Sequence, residues 1–397
     1  MAGALDGVRV VELGESTASA YAGKLLADLG ADVIKVERPG TGDPTRSDGP
    51  FRDGEHDPDA SGRYLHLNTN KRSLTLDVEQ DDGLRLLVDL CAGADVVIRT
   101  DQPVRDGRDR LGFEALSARN PDLIMALITP FGMTGPYRDW HGYDSNTGAL
   151  GGINYYLGEF GRPLLVPPLS LGEYQAGLAA VVAIMAGLVS ETGGQLIDIA
   201  EADCWAMIQT GLSVVDYIFG GRLFERQGTG RTGGPYPYAL LHCKDGLVRI
   251  ITIQRREWLR FLAVMGNPAW ADDPRFQDRT KMTELYADEL DALIEDWMKD
   301  KTKEEIFQLC REGGVPCAPT YTIDEVVNHP ELGKWFVEVD QPGLGPVVQA
   351  GFPYDLSESP ATIERGAPRL GEHSASILAT IGVDENELAS LRGAAVT

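Results

Sequence analysis

The feature that most constrains this chain is a rhythm in its first third, where short apolar runs alternate with segments of helical spacing. Residues 8–13 form one apolar run, residues 21–29 carry Leu25, Leu26 and Leu29 at helical spacing, and residues 32–37 are apolar again before Pro39-Gly40 closes them. A run of period two, a helix and a second run make a strand–helix–strand unit. The rhythm repeats with helical spacing over 81–91 and strand-like runs at 95–99 and 123–129. Such units stack into an open parallel sheet, so an α/β class is expected.

After Tyr143 the pattern becomes helical. Residues 173–188 are apolar almost all round (Leu178, Val181, Val182, Ile184, Met185, Leu188), which predicts a helix buried on every face. Residues 196–200 return to a strand. Near Gly220 the style changes: residues 238–243 and 247–253 read as a hairpin turning at Lys244-Asp245-Gly246, followed by amphipathic helices at 257–264, 284–298 and 302–311. Thr302 with Glu305 fits a capping box. Short strands resume beyond Asp324, and a helical pair is expected over 373–391. A length of 397 residues suits two domains. The expected division is a large domain over 1–215, a smaller α+β domain over 225–322, and a return segment over 323–397.

Composition narrows the function. Hydrophobic residues make up 43%, enough for a large core. No uninterrupted apolar run approaches bilayer length and the N-terminus lacks a basic-then-apolar leader, so neither a membrane span nor a signal peptide is expected. A formal charge of −24 disfavours nucleic acid and anionic membranes as partners. The five cysteines form no CxxC pair, which suggests reduced thiols in a cytoplasmic setting. The six histidines show no HxxxH spacing, and no metal site is expected.

Gly228-Thr-Gly230-Arg-Thr-Gly233 matches GxGxxG literally. Pro235, Pro237 and a hairpin follow it rather than a helix, so a covering loop is the better reading. No GxSxG elbow and no P-loop occur. Lys35, Arg38, Lys71, Arg72, Arg99 and Arg110 fall at ends of expected strands, where cations could gather around a phosphate or simply pair with surface acids. Glu173 lies in Leu171-Gly-Glu-Tyr-Gln-Ala-Gly177, just after Pro167-Pro168. A carboxylate in a first helical turn is common, but glycines on both sides would let a ligand come close.

These residues resemble a family, the class III CoA-transferases of the formyl-CoA transferase and carnitine CoA-transferase type, nearly end to end. The similar stretches are Leu5-Asp-Gly-Val-Arg-Val-Val-Glu-Leu13, Leu25-Leu-Ala-Asp-Leu-Gly-Ala-Asp-Val-Ile-Lys-Val-Glu37, Asn68-Thr-Asn-Lys-Arg-Ser-Leu-Thr-Leu-Asp77, Asp109-Arg-Leu-Gly112, His141-Gly-Tyr-Asp-Ser145, Gly314-Val-Pro-Cys-Ala-Pro319 and Ala367-Pro-Arg-Leu-Gly-Glu-His373. The resemblance implies a Rossmann-like large domain built from both termini, a smaller domain and an interlocked homodimer. It implies coenzyme A and acyl-CoA as substrates, with contacts from Thr17, Ala18, Arg38, Asn70, Lys71, Arg72, Ser73, Arg110, His141, Tyr143 and Asp144. The family's Gly-Asp-x-x-x-Gly stretch aligns with Gly172–Gly177, placing Glu173 where the catalytic aspartate stands. The family mechanism then passes through a mixed anhydride and an enzyme–CoA thioester on Glu173 and ends with CoA on a carboxylic acid acceptor, while Gly230, Gly233 and Gly234 are candidates for oxyanion stabilisation or a lid. Asn-Phe-x-Pro-Gly is replaced by Arg99-Thr-Asp-Gln-Pro103. Two rival activities come with this resemblance. An α-methylacyl-CoA racemase would need a histidine where Tyr143 stands, and a non-catalytic CoA-binding subunit would need a partner chain.

Overall fold

The computed structural model describes residues 3–100, 111–158, 161–190, 192–209, 214–223 and 234–397. The chain divides into two compact units: 1–153 with 166–215 and 334–397, and 154–165 with 216–333.

The first unit alternates strands and helices as its apolar rhythm predicts. In chain order it holds β1 (Arg9–Leu13), α1 (Thr17–Asp28), β2 (Asp32–Glu37), α2 (Gly62–Leu67), β3 (Arg72–Thr75), α3 (Asp81–Ala92), β4 (Val96–Arg99), α4 (Phe113–Ser117), β5 (Ile124–Thr129) and α5 (Asp144–Leu150). After α6 (Ile153–Tyr156) come α7 (Leu171–Val189), β6 (Gln195–Ala200) and α8 (Glu201–Ile208). The six strands form one sheet in the order β3-β2-β1-β4-β5-β6, and every neighbouring pair is parallel. β4 and β5 are buried along their whole length, as continuous Val/Ile/Leu/Met runs demand in a sheet covered on both faces.

Alternation along each strand divides the core. Val10, Val33, Val96, Ile98, Ile124, Ala126 and Ile128 face α1 and α7. Val11, Ile34, Val97 and Met125 face α3 and the C-terminal residues Ile377, Leu378, Leu391 and Val396. Each fully buried side chain of this size contributes about 1.5–3 kcal/mol. Both ends of the chain therefore build one core.

α7 differs from its expectation. Ala176, Gly177, Ala180, Val181 and Ile184 are buried, but Leu178, Val182 and Val189 are exposed. Its mean hydropathy of 1.5 over bilayer-spanning length reflects that open apolar face together with a face packed on the sheet. Gly177 is required where α7 meets α1, because a Cβ there would stand 2.6 Å from the Ala18 carbonyl oxygen.

The second unit holds β7 (Tyr238–Cys243), β8 (Gly246–Ile251) and β9 (Cys317–Thr320) as an antiparallel sheet, with helices around Trp258, Phe261, Leu290, Ile294 and Ile306. The capping box forms: the Glu305 N–H donates to Thr302 Oγ1 at 3.2 Å, and the Thr302 N–H to Glu305 Oε2 at 2.7 Å. The single helix expected over 284–298 is two, Arg279–Leu285 and Ala287–Met298, broken at Tyr286 (φ −129°, ψ 9°). In the first unit, β10 (Phe336–Gln341) and β11 (Gly345–Ala350) form a hairpin before the terminal helices Ser374–Ala379 and Glu385–Gly393.

Candidate functional site

In an open parallel sheet the strand order reverses once, and a crevice opens there at the strands' carboxyl ends. Here that point lies between β1 and β4, where Leu13 pairs with Arg99. A cleft of about 410 Å³ occupies it, lined by Leu13, Gly14, Glu15 and Ser16 after β1, Glu37 and Arg38 at the end of β2, and Arg99, Thr100 and Leu111 after β4. Arg38 is exposed on this rim, its Nε donating to Glu15 Oε1 at 2.8 Å. Arg99 is buried, and its Nη1 donates to the Leu111 carbonyl at 2.5 Å.

The loop lining the cleft runs directly into α1, which begins at Thr17 with Ser16 as its N-cap. The Thr17 N–H points away from its own helix and donates to Glu173 Oε2 at 2.8 Å. Glu173 is half-buried in the first turn of α7. Two helix N-termini thus meet at one carboxylate.

Backbone strain sets the start of α7. Leu169 (φ 63°) and Ser170 (φ 55°) both occupy the left-handed region, an uncommon conformation for non-glycine residues that costs roughly 1–2 kcal/mol each. Arg63 on α2 holds the turn, its Nη2 donating to Thr17 Oγ1 at 2.5 Å and to Ser170 Oγ at 2.9 Å, while Nη1 pairs with Asp48 at 2.9 Å. Ser170 does not cap α7. The Gly172 N–H instead donates to Asp144 Oδ1 on α5, at 2.7 Å. Gly172 admits no side chain, since a Cβ would collide with Trp205 Nε1, Asp144 Oδ1 and Glu201 Oε1.

Glu201 opens α8 where β6 ends, and it is buried. Its Oε1 accepts a hydrogen bond from Thr147 Oγ1, and it converges with Asp144 Oδ1 on Gly172, where one added Cβ would touch both carboxyl oxygens. Burial pushes the Glu201 carboxyl up to about 8, and the negative charges of Glu173 and Asp144 add to the rise. Trp205 Nε1, in the same pocket, has no hydrogen-bond partner among the described residues. Among the described residues no group of three or more His, Cys, Asp or Glu is arranged to hold a metal ion.

The structure brings Thr17, Ala18, Asp144 and Glu173 together and places Arg38 on the neighbouring cleft. Asn70, Lys71, Arg72 and Ser73, expected as coenzyme contacts, make contacts within the protein itself. Lys71 and Arg72 stand where β3 begins, not at a carboxyl end. Lys71 Nζ is fully buried and donates to the Ala20 carbonyl, Asn68 Oδ1 and Glu12 Oε2. Asn70 bonds Asp28 and the backbone at Thr362, Glu364 and Arg365. Arg72 grips Asp32 with two bonds of 2.8 and 2.6 Å, and Ser73 Oγ donates to Glu37. Lys35 likewise pairs with Glu12 and Asp43 in the interior. These groups build the framework and do not line the cleft. His141 and Tyr143 are exposed. Arg110, Gly230 and Gly233 lie outside the described residues, and the Gly234 carbonyl accepts from Thr283 Oγ1 at 2.7 Å.

Sequence reasoning did not single out Arg63, Ser170, Glu201 or Trp205. Glu201 carried a signal, since a polar residue just beyond a strand's carboxyl end lies where α/β ligands bind. Arg63 carried none, because only the fold brings it beside Thr17 and Ser170.

The succinyl-CoA–D-citramalate CoA-transferase of Chloroflexus aurantiacus is 34% identical over 401 residues, covering 98% of this chain and 96% of that protein. The succinate–glutarate CoA-transferase of Agrobacterium fabrum is 33% identical over 386 residues, covering 95% of each. A crystal structure of a CAIB/BAIF family protein from Brucella suis superposes with a TM-score of 0.86 at 32% identity, covering 96% of this chain and all of that one. With the sequence model of CoA-transferase family III matching residues 5–374 as well, the chain belongs to that family and is a CoA-transferase.

Proposed function

We propose that this enzyme moves CoA between an acyl-CoA and a carboxylic acid with Glu173 as the nucleophile. The observation that carries the reading is the Glu173 carboxylate, half-buried and held at 2.8 Å by the Thr17 N–H, one residue beyond the Ser16 lining of the cleft. A carboxylate is ionised at neutral pH but weakly nucleophilic, so it works only when fixed in place.

The free Glu173 oxygen attacks the thioester carbonyl of the donor, and CoA leaves as the thiolate with a mixed anhydride remaining. The thiolate attacks the glutamyl carbonyl and expels the donor carboxylate, leaving a Glu173–CoA thioester. The acceptor carboxylate attacks that thioester and releases the thiolate, which then attacks the acceptor's own carbonyl and frees Glu173. Each attack on the glutamyl carbon places negative charge on Oε2, the oxygen that the Thr17 N–H already faces. Both relatives named above handle succinyl or succinate groups, which supports a short dicarboxylic acyl group as donor or acceptor.

Incubation with succinyl-CoA followed by hydroxylamine should leave a hydroxamate on the peptide carrying Glu173, and CoA should pass to citramalate or glutarate. Turnover with an unmodified Glu173 peptide would refute the nucleophile. Exchange of an α-proton in D₂O without CoA transfer would favour the racemase reading.

A homodimer is part of this proposal. Leu178, Val182 and Val189 on α7 and Leu196 on the edge strand β6 are exposed apolar residues of the first unit, and a second copy of the chain would cover them.

A further inference from the structure

Glu173 is not the only acid at the start of α7. Asp144 approaches from α5 and Glu201 from the first turn of α8, so three carboxyl groups surround Gly172. Glu201 is 7% exposed. The groups facing it are the Thr147 hydroxyl and Asp144 carboxyl from α5, Glu173 from α7, and Asp203, Cys204 and Trp205 on its own helix. Two carboxyl groups converging on one glycine, one of them buried, are held together by a shared proton and driven apart without it. Glu201 is the buried member of the pair, so the proton belongs on Glu201.

We propose that Glu201 is a positioning residue that must be protonated for turnover: its O–H donates to Asp144, Asp144 holds the Gly172 N–H, and this chain of bonds fixes the first turn of α7 with Glu173 against Thr17. Loss of the proton places a third negative charge beside Gly172. Asp144 and Glu173 are then repelled, the turn loosens, and the nucleophile leaves its place. The inference rests on Glu173 being the nucleophile.

The test compares kcat and KM with succinyl-CoA over about pH 6 to 9 in wild type, Glu201→Gln and Glu201→Ala. Glutamine keeps a donor toward Asp144 but cannot ionise. Wild-type kcat should fall about tenfold for each unit above the Glu201 value, with KM for the donor nearly constant. Glu201→Gln should show no alkaline fall when its kcat at pH 9 is divided by its own kcat at pH 7. It should also recover kcat that Glu201→Ala loses. An alkaline limb in Glu201→Gln matching that of wild type would overturn the proposal. If Glu201→Gln does not fold, infrared titration of the wild type decides. A protonated carboxyl band that disappears in step with kcat supports the role, and the lack of such a band at pH 7 overturns it. Glu173→Gln is assayed alongside. Turnover in that variant refutes the nucleophile itself, whereas a dead Glu173→Gln with an unchanged limb in Glu201→Gln refutes only the role of Glu201.

Discussion

A backbone N–H and a side-chain carboxylate make the contact on which the proposed mechanism turns, so its energetics can be probed one atom at a time. Thr17 is the first residue of α1, where proline is well accommodated, and Ser16 before it is extended (φ −120°, ψ 160°), as a residue preceding proline prefers. Thr17→Pro should therefore keep the fold while deleting both the donor to Glu173 and the Oγ1 acceptor for Arg63. We expect kcat to fall by about 10²–10³. Thr17→Val keeps the N–H, loses the acceptor for Arg63, and should cost far less; steady-state kinetics of the pair separates the two roles. Glu173→Asp withdraws the carboxylate by one methylene and should lower transfer about a hundredfold. Gly172→Ala introduces a Cβ into Trp205, Asp144 and Glu201, a clash worth roughly 1–3 kcal/mol, and urea unfolding should show it.

At the scale of elements, α7 has two tasks that its sequence does not separate. Its buried face packs on the sheet through Ala176, Ala180 and Ile184, and its first turn presents Glu173. Its other face leaves Leu178 and Val182 bare. Periodicity identified the helix and each of its ends within two residues but overstated its burial, because an apolar side chain reads the same whether covered by its own chain or by a second copy. If a second copy covers this face, Leu178→Asp with Val182→Asp should weaken self-association by on the order of 100-fold, since burying an unpaired charge costs several kcal/mol. Light scattering across a dilution series measures this. A wild type that is monomeric throughout would remove the dimer from the proposal.

For the whole molecule, a buried polar network ties the two ends of the chain together. Arg46 bonds Glu37 at 2.7 and 2.9 Å, Asp59 at 2.7 Å and the Pro368 carbonyl at 3.2 Å. Burial alone would raise the Glu37 carboxyl, but the hydrogen bonds and charge of Arg46 take it below its ordinary value. A depressed carboxyl contributes stability that is present above its unfolded value and lost as pH falls through the folded one. Glu201 has the opposite sign: raised in the fold, it contributes stability below its unfolded value that is lost as pH rises toward 8. Thermal unfolding should therefore be most resistant between about pH 5 and 7. Glu201→Gln should raise Tm at pH 8.5 by about 2 °C or more, relative to its effect at pH 5. Arg46→Ala leaves Glu37 unpaired in the interior and should cost about 3–5 kcal/mol in denaturant unfolding.

The sequence by itself determined the parallel sheet, because strands buried on both faces must be continuous apolar runs and the helices between them must carry one apolar stripe. It also determined the acid at the head of α7, through its flanking glycines and its resemblance to a catalytic position. The tertiary structure alone decided which charges face the cleft and which face the interior. Lys71 and Arg72 looked equivalent to Arg38 along the chain, yet β3 begins at Arg72 whereas β2 ends just before Arg38, so the sheet directs the first pair into framework contacts and the last to the cleft. Glu201, 28 positions beyond Glu173 in sequence, comes near it only because β6 returns the chain beside α7. Local pattern fixes elements because hydrogen bonding and burial are periodic within them; it does not fix a site whose groups come from five segments and meet only when the sheet closes.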